Sequence, residues 1–227
     1  MKKLLNYFTK AEKILWLSST LMILASFLIS QDSGILGLIS SLIGITALIL
    51  CAKGNPFGQV LMIIFCLMYT YISYTFSYYG EMITYACMSL PMAVFSLVSW
   101  LRHPFKGNKA EVKVNRLKDK EHIFMVLLTS AVTVAFYFIL KAFNTANLIP
   151  STFSVATSFG AAYLTFRRNP YYALWYAAND IVLIVLWTLA AIKDISYISV
   201  IMCFVTFLAN DIYGFISWKK MEKRQGA

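Results

Sequence analysis

Histidine is almost missing from this sequence: His103 and His122 are its two copies in 227 residues, and both lie in a charged middle segment rather than in an apolar run. There is no G-x-S-x-G or H-E-x-x-H pattern either, so nothing in the apolar runs offers a nucleophile with its base or a metal ligand set, which argues against an intramembrane enzyme. Cysteine is also scarce. Cys51, Cys66, Cys87 and Cys203 all fall inside apolar runs without paired spacing, so they read as core residues rather than a disulfide framework or zinc site. A Walker motif, a DNA-binding element and a sodium-site pattern are absent, so the chain calls for no cofactor and no nucleic acid, and nothing in it supplies an energy source.

Charge is thin too. Charged residues make up 13% of the chain against 59% hydrophobic ones, with a mean hydropathy of +0.68, a balance that fits an all-α integral membrane protein in contact with the lipid bilayer. A hydrocarbon core about 30 Å thick takes about 20 helical residues. Eight stretches reach that scale, at 14–31, 33–52, 56–80, 82–101, 123–140, 147–166, 170–192 and 195–218. Scattered Gly and Ser without period-2 alternation favour eight transmembrane helices over barrel strands. The first run follows Lys2 and Lys3 but has no small-x-small cleavage site before Asp32, so it reads as a retained helix.

The basic residues sort by loop. With a cytoplasmic N-terminus, every Lys and Arg of the 20 except Lys141 and Lys193 falls on the inner side. That split obeys the positive-inside rule and places both termini in the cytoplasm. The net charge of +10 is thus a topology signal. The longest polar segment, 102–122, has no apolar periodicity and reads as a cytoplasmic linker able to lie on anionic headgroups.

Two parts of the chain repeat. Gly54-Asn55-Pro56 follows one apolar run and Arg168-Asn169-Pro170 another, and each half closes on Ser-Trp, at Ser99-Trp100 and Ser217-Trp218. Proline suits a first helical turn, where its missing N–H costs nothing. The unit is three helices. An even displacement of four helices makes the two units parallel repeats, the arrangement of the SWEET transporters. The organisation is therefore an extra helix at 1–32, a first bundle at 33–101, a loop and linker helix at 102–146, a second bundle at 147–218 and a tail at 219–227: one, three, one and three helices.

A charge inside a span costs about 2.5–3.5 kcal/mol on insertion scales, so it faces the bundle interior and usually serves function. Asp180 and Asp211 qualify, each preceded by Asn, as Asn179-Asp180 and Asn210-Asp211. At 1.5 Å per residue they lie roughly 15 and 10 Å from the inner ends of their helices, at similar depth. Tyr176, Asp180, Leu183 and Trp187 form one helical stripe and Trp175 with Asn179 the next. Gln59 is the first bundle's candidate to face the pathway. Aromatic planes, amides and negative charge suit a planar cationic ligand with hydroxyls. Trp175 and Tyr176 also lie where aromatic belts form, as do Trp100 and Trp218, which read as belt residues. Asp180 and Asp211 could instead bond across helices as structural groups.

The parallel repeat with its added first helix, Trp175-Tyr176-Ala177-Ala178-Asn179 and Asn210-Asp211-Ile212-Tyr213-Gly214 together resemble the PnuC family of bacterial vitamin transporters. The resemblance implies a SWEET-like fold, a homotrimer in the bacterial inner membrane, and facilitated diffusion of nicotinamide riboside for NAD synthesis, with trapping by an intracellular kinase. It implies substrate contacts at Trp175, Tyr176, Asn179, Asn210, Asp211 and Tyr213. Tyr176 stands where a second Trp is expected, which keeps thiamine or riboflavin open as the vitamin. A membrane sensor that binds the vitamin without moving it is a further alternative.

Overall fold

In hydrocarbon an apolar run can satisfy its own backbone only as a helix. The computed structural model of the chain describes residues 7–30, 35–75, 79–145, 147–192 and 197–226. They form α1 Lys10–Ser30, α2 Ile35–Ala52, α3 Phe57–Thr75, α4 Tyr79–Arg102, α5 Asp119–Ala142, α6 Leu148–Phe166, α7 Tyr172–Ala191 and α8 Ile198–Gln225. A hairpin of β1 Pro104–Phe105 and β2 Asn108–Val112 follows α4. Among the described residues, seven of these helices, all but α6, are long and apolar enough to cross a membrane. α6 has the length, but Ser151, Thr152, Ser154, Thr157, Ser158 and Thr165 dilute its hydropathy. Lys2, Lys3, Asp32 and Lys193 lie outside the described residues.

Several boundaries differ from expectation: α5 starts at Asp119 rather than 123, and α8 runs to Gln225, seven residues past the expected end at 218 and through most of the expected tail. α1 starts at Lys10 and takes Glu12 and Lys13 into the helix, because Thr9 and Glu12 form a reciprocal cap: Glu12 N donates to Thr9 Oγ1 at 3.2 Å and Thr9 N to Glu12 Oε2 at 2.7 Å. α4 starts at Tyr79, so Glu81, which fell between the expected runs 56–80 and 82–101, lies inside the helix.

The packing is reciprocal. α2 packs on α3 and α8, while α6 packs on α7 and α4. The Asn-Pro motifs are built alike: Asn55 N donates to Leu50 O at 3.0 Å and Asn169 N to Leu164 O at 2.9 Å. Asn55 Oδ1 accepts from Phe57 N at 2.9 Å, and Asn169 Oδ1 from Tyr171 N at 3.0 Å. The residue before each Asn is left-handed, with φ of +66° at Gly54 and +58° at Arg168.

Trp100 and Trp218, expected at the lipid interface, are instead fully buried, with ring centroids 5.4 Å apart. Each indole N–H donates at 2.8 Å into the other half, Trp100 to Thr165 O and Trp218 to Cys51 O. A carbonyl at a helix C-terminus has no intrahelical partner, and a buried indole needs an acceptor. Each indole finds its acceptor in a carbonyl that also takes a corner N–H, Gly54 N at 2.8 Å on Cys51 O and Arg168 N at 3.0 Å on Thr165 O. Cys51 and Cys66 are buried as expected, but Cys87 is exposed.

The segment after α4 is an ordered strap that begins with the hairpin. Lys106 and Gly107, at φ +48° and +77°, close the hairpin. Val112 and Val114 are buried in the same cluster as Trp100 and Trp218. Val112 N donates to Gly54 O at 2.9 Å and Asn115 N to Arg168 O at 3.0 Å, so the strap ties the matching corners of both halves. Two ion pairs tie it to α8, Arg116 with Glu222 at 2.9 Å and Glu111 with Arg224 at 2.5 Å. His103, assigned no role from sequence, places Nδ1 2.8 Å from Arg168 Nη1.

Candidate functional site

Between the two halves lies a cavity of about 160 Å³. α3 contributes Met62, Phe65, Cys66 and Tyr69, and α7 contributes Tyr176, Asn179, Asp180 and Leu183. Each α7 position follows its α3 counterpart by the spacing that separates Asn55 from Asn169, so the two helices present the same face to the cavity. Ala93 of α4 and Asp211 of α8 face it from positions offset as Trp100 is from Trp218. The backbones match while the chemistry does not. At these matched positions the first half places Met62, Phe65, Cys66, Tyr69 and Ala93 where the second places Tyr176, Asn179, Asp180, Leu183 and Asp211.

Asp180 and Asp211 are 4% and 5% exposed, and their carboxyl groups are within hydrogen-bonding reach of one another. Asp180 Oδ2 is buried without a partner. Carboxylates this close repel strongly where water is excluded, and a cation between or beside them removes the repulsion. Among the described residues lining the cavity there are three acids, Glu81, Asp180 and Asp211, and no Lys, Arg or His. The ionisable acid–base side chains of Asp, Glu, Lys, Arg and His type in the described lining are therefore all acidic.

The amides are pre-set. Ser154 Oγ donates to Asn179 Oδ1 at 2.9 Å, and Thr157 Oγ1 stands at the same distance. Both come from α6, whose Ser151, Ser154, Ser158 and Thr165 also line the cavity, so the residues that lower its hydropathy are those the site uses. With Oδ1 engaged, Asn179 Nδ2 has no partner among the described residues. Gln59 Nε2 donates to Cys51 Sγ at 3.3 Å, which fixes the side chain at the cavity wall.

Five of the predicted site residues meet here: Gln59, Tyr176, Asn179, Asp180 and Asp211. Three do not. Trp175 of α7 packs against α6, where a Cβ added to Gly160 would stand 2.5 Å from its ring. Asn210 donates to Ser19 Oγ of α1 at 2.9 Å and Tyr213 to Glu12 Oε1 at 3.0 Å. The reason is helical phase: one residue turns about 100°, so Asn210 cannot share the face of Asp211. Both instead seat α1, where Glu12 also meets Lys53 at 3.1 Å.

Glu81 was missed. It shares α4 with Tyr85, Ser89, Ala93 and Ser96, all lining the cavity at helical spacing, and that stripe was the available signal. A six-residue π-helical segment, Thr84–Ser89, sits in its middle just before Pro91. Proline has no N–H to continue the α-helical ladder, which fits a local widening there.

The family described as "Nicotinamide mononucleotide transporter" matches residues 34–220. Two curated relatives are each named "Nicotinamide riboside transporter PnuC". That of Neisseria mucosa is 28% identical over 92% of this chain and 81% of its own length, and that of Haemophilus influenzae 22% identical over 95% and 92%. A solved structure titled "Crystal structure of the Vitamin B3 transporter PnuC" superposes with a TM-score of 0.81 at 25% identity, covering 96% of this chain and 94% of that one.

The chain belongs to the PnuC family of membrane transporters.

In this PnuC member the motif Trp175-Tyr176-Ala177-Ala178-Asn179 divides its work. Tyr176 and Asn179 reach the cavity, while Trp175 holds α7 against α6. As a transporter of this family, the chain is a multi-pass membrane protein.

Proposed function

We propose that this chain carries nicotinamide riboside across the membrane by facilitated diffusion. The observation that carries the reading is the cavity's charge: three acids and no basic residue among the described lining. That set favours a pyridinium cation with neutral hydroxyls over a mononucleotide, whose phosphate would meet Asp180 and Asp211 unpaired. The relatives' names point the same way.

In this reading Asp180 and Asp211 balance the pyridinium charge, while Tyr176 packs against the ring. Asn179 Nδ2 and Gln59 hold the carboxamide or ribose oxygens. Helices α1 to α8 all span the bacterial inner membrane as one, three, one and three, with boundaries at 1–32, 33–101, 102–146, 147–218 and 219–227. Both termini are cytoplasmic, because Lys53, Arg102, Arg168 and Lys219 gather at the strap end of the bundle. A homotrimer, and an intracellular kinase that traps the substrate for NAD synthesis, complete the scheme by family resemblance.

Thiamine is also a cation and is the second reading, favoured by Tyr176 standing where a second Trp was expected. Riboflavin is neutral and gains nothing from the carboxyl pair. Proteoliposome uptake of labelled nicotinamide riboside, nicotinamide mononucleotide, thiamine and riboflavin tests the assignment. The riboside is expected to enter and the mononucleotide to be excluded. Entry of thiamine or the mononucleotide alone would overturn the substrate.

A further inference from the structure

Glu81 is the one acid of the cavity that the carboxyl pair does not include. It lies two residues from the start of α4, whereas Asp180 is eight residues into α7 and Asp211 is eight residues before Lys219. At 1.5 Å per residue, Glu81 stands roughly 30 Å from the strap end and the aspartates roughly 12 Å. The acids therefore mark two levels of the same cavity. Among the described residues Glu81 has neither a salt bridge nor a hydrogen bond to its carboxyl group, although every other described glutamate is paired.

Its neighbours are aromatic. Tyr69 and Tyr85 both line the cavity and hold their rings 4.7 Å apart at 40°, a tilted pair that offers π-faces. Aromatic faces beside a carboxylate attract organic cations, and the attraction grows as water is excluded. Tyr85 and Glu81 are one helical turn apart on α4, so they approach the same ligand together. The neighbouring Thr145 Oγ1, also lining the cavity, is buried without a partner.

We propose that Glu81, Tyr69 and Tyr85 form a second organic-cation subsite at the end of the cavity away from the strap, which receives the cationic ring before it passes to the Asp180–Asp211 level. The proposal rests on the reading above that the cargo is cationic. A ligand at Glu81 would keep its ring charge paired throughout the crossing, which removes a barrier that a single deep acid pair would leave at the entrance. Ring charge and planarity are what the subsite recognises, while the amides at the deeper level recognise ribose.

Uptake kinetics in proteoliposomes test this with two substrates of one shape, nicotinamide riboside and its neutral 1,4-dihydro form. In Glu81→Gln, KM for the cation is expected to rise about tenfold, the equivalent of about 1.4 kcal/mol, with uptake of the neutral form unchanged. Glu81→Asp, which keeps the charge, should recover most of that loss. Tyr85→Leu should also weaken the cation selectively, and Tyr85→Phe should not. Equal loss of both substrates in Glu81→Gln, or no loss of either, would overturn the subsite. If the wild-type protein carries thiamine and not nicotinamide riboside, the substrate reading fails. The Glu81 comparison then runs with thiamine, and an unchanged KM there would overturn the subsite by itself.

Discussion

The indoles of Trp100 and Trp218 meet at 5.4 Å, and each donates its N–H across the seam to a carbonyl ending the first helix of the other three-helix set, Thr165 O and Cys51 O. The two bonds are related as the two halves are, so the contact is one joint made twice. Each carbonyl also accepts from its own corner, Cys51 O from Gly54 N at 2.8 Å and Thr165 O from Arg168 N at 3.0 Å, so losing either indole removes the bond across the seam and leaves the corner bond in place.

Trp100→Phe and Trp218→Phe are each expected to cost about 1–3 kcal/mol of stability, from the lost bond across the seam and the space left by the smaller ring. Thermal unfolding in detergent should show similar losses for the two. A loss in one and none in the other would show that the joint is not symmetric.

The carboxyl pair predicts a charge effect rather than a packing effect. Asp180→Asn keeps shape and removes charge, and it is expected to weaken binding of a cationic substrate at least about tenfold, since a desolvated charged contact is worth about 1.5–3 kcal/mol. Asp180→Asn/Asp211→Asn should weaken it further while the protein still elutes as folded. Equilibrium binding by calorimetry reads both. Unchanged affinity in the double variant would remove the pair from the site.

Trp175 and Gly160 should behave as a packing pair. A Cβ at Gly160 would stand 2.5 Å from the indole, so Gly160→Ala is expected to cost about 1–3 kcal/mol by overpacking. In Trp175→Ala the same Gly160→Ala change should cost almost nothing. A double-mutant cycle on melting temperature measures the coupling, and additive losses would separate the two residues.

Asn210 and Tyr213 hold α1 rather than substrate. Tyr213→Phe removes the bond to Glu12 and is expected to leave KM within about twofold while costing about 1 kcal/mol of stability. A large rise in KM at full stability would return Tyr213 to the binding site.

Much of this architecture was readable from the sequence, for a physical reason. Asn55-Pro56 and Asn169-Pro170 begin helices because Asx capping and a fixed φ act locally, so the repeat could be seen without any tertiary contact. The stripe of Tyr176, Asp180, Leu183 and Trp187 was equally legible, since helical phase alone places all four on the cavity. Direction across the helix was harder. Trp175, Asn210 and Tyr213 sit one or two residues from true lining positions, and only the neighbouring helices decide that their faces meet α6 and α1. Glu81 was hidden because the apolar character runs on past Thr75 with no break until Gly80. The buried tryptophans were misplaced because an interfacial Trp and one buried in a seam between halves look alike beside Arg102 and Lys219.

Substrate accumulation against a controlled membrane potential tests the central claim most directly. A cation crossing passively through this cavity gains about 2.3 kcal/mol per 100 mV, which sets an accumulation of about fiftyfold at 100 mV inside-negative. Labelled nicotinamide riboside in proteoliposomes with an imposed potassium diffusion potential, and with no nucleotide or other ion gradient, should approach that ratio. The ratio should collapse toward one when the potential is removed, and uptake should be lost in Asp180→Asn/Asp211→Asn. No entry of the riboside, or entry indifferent to both the potential and the double substitution, would contradict the account.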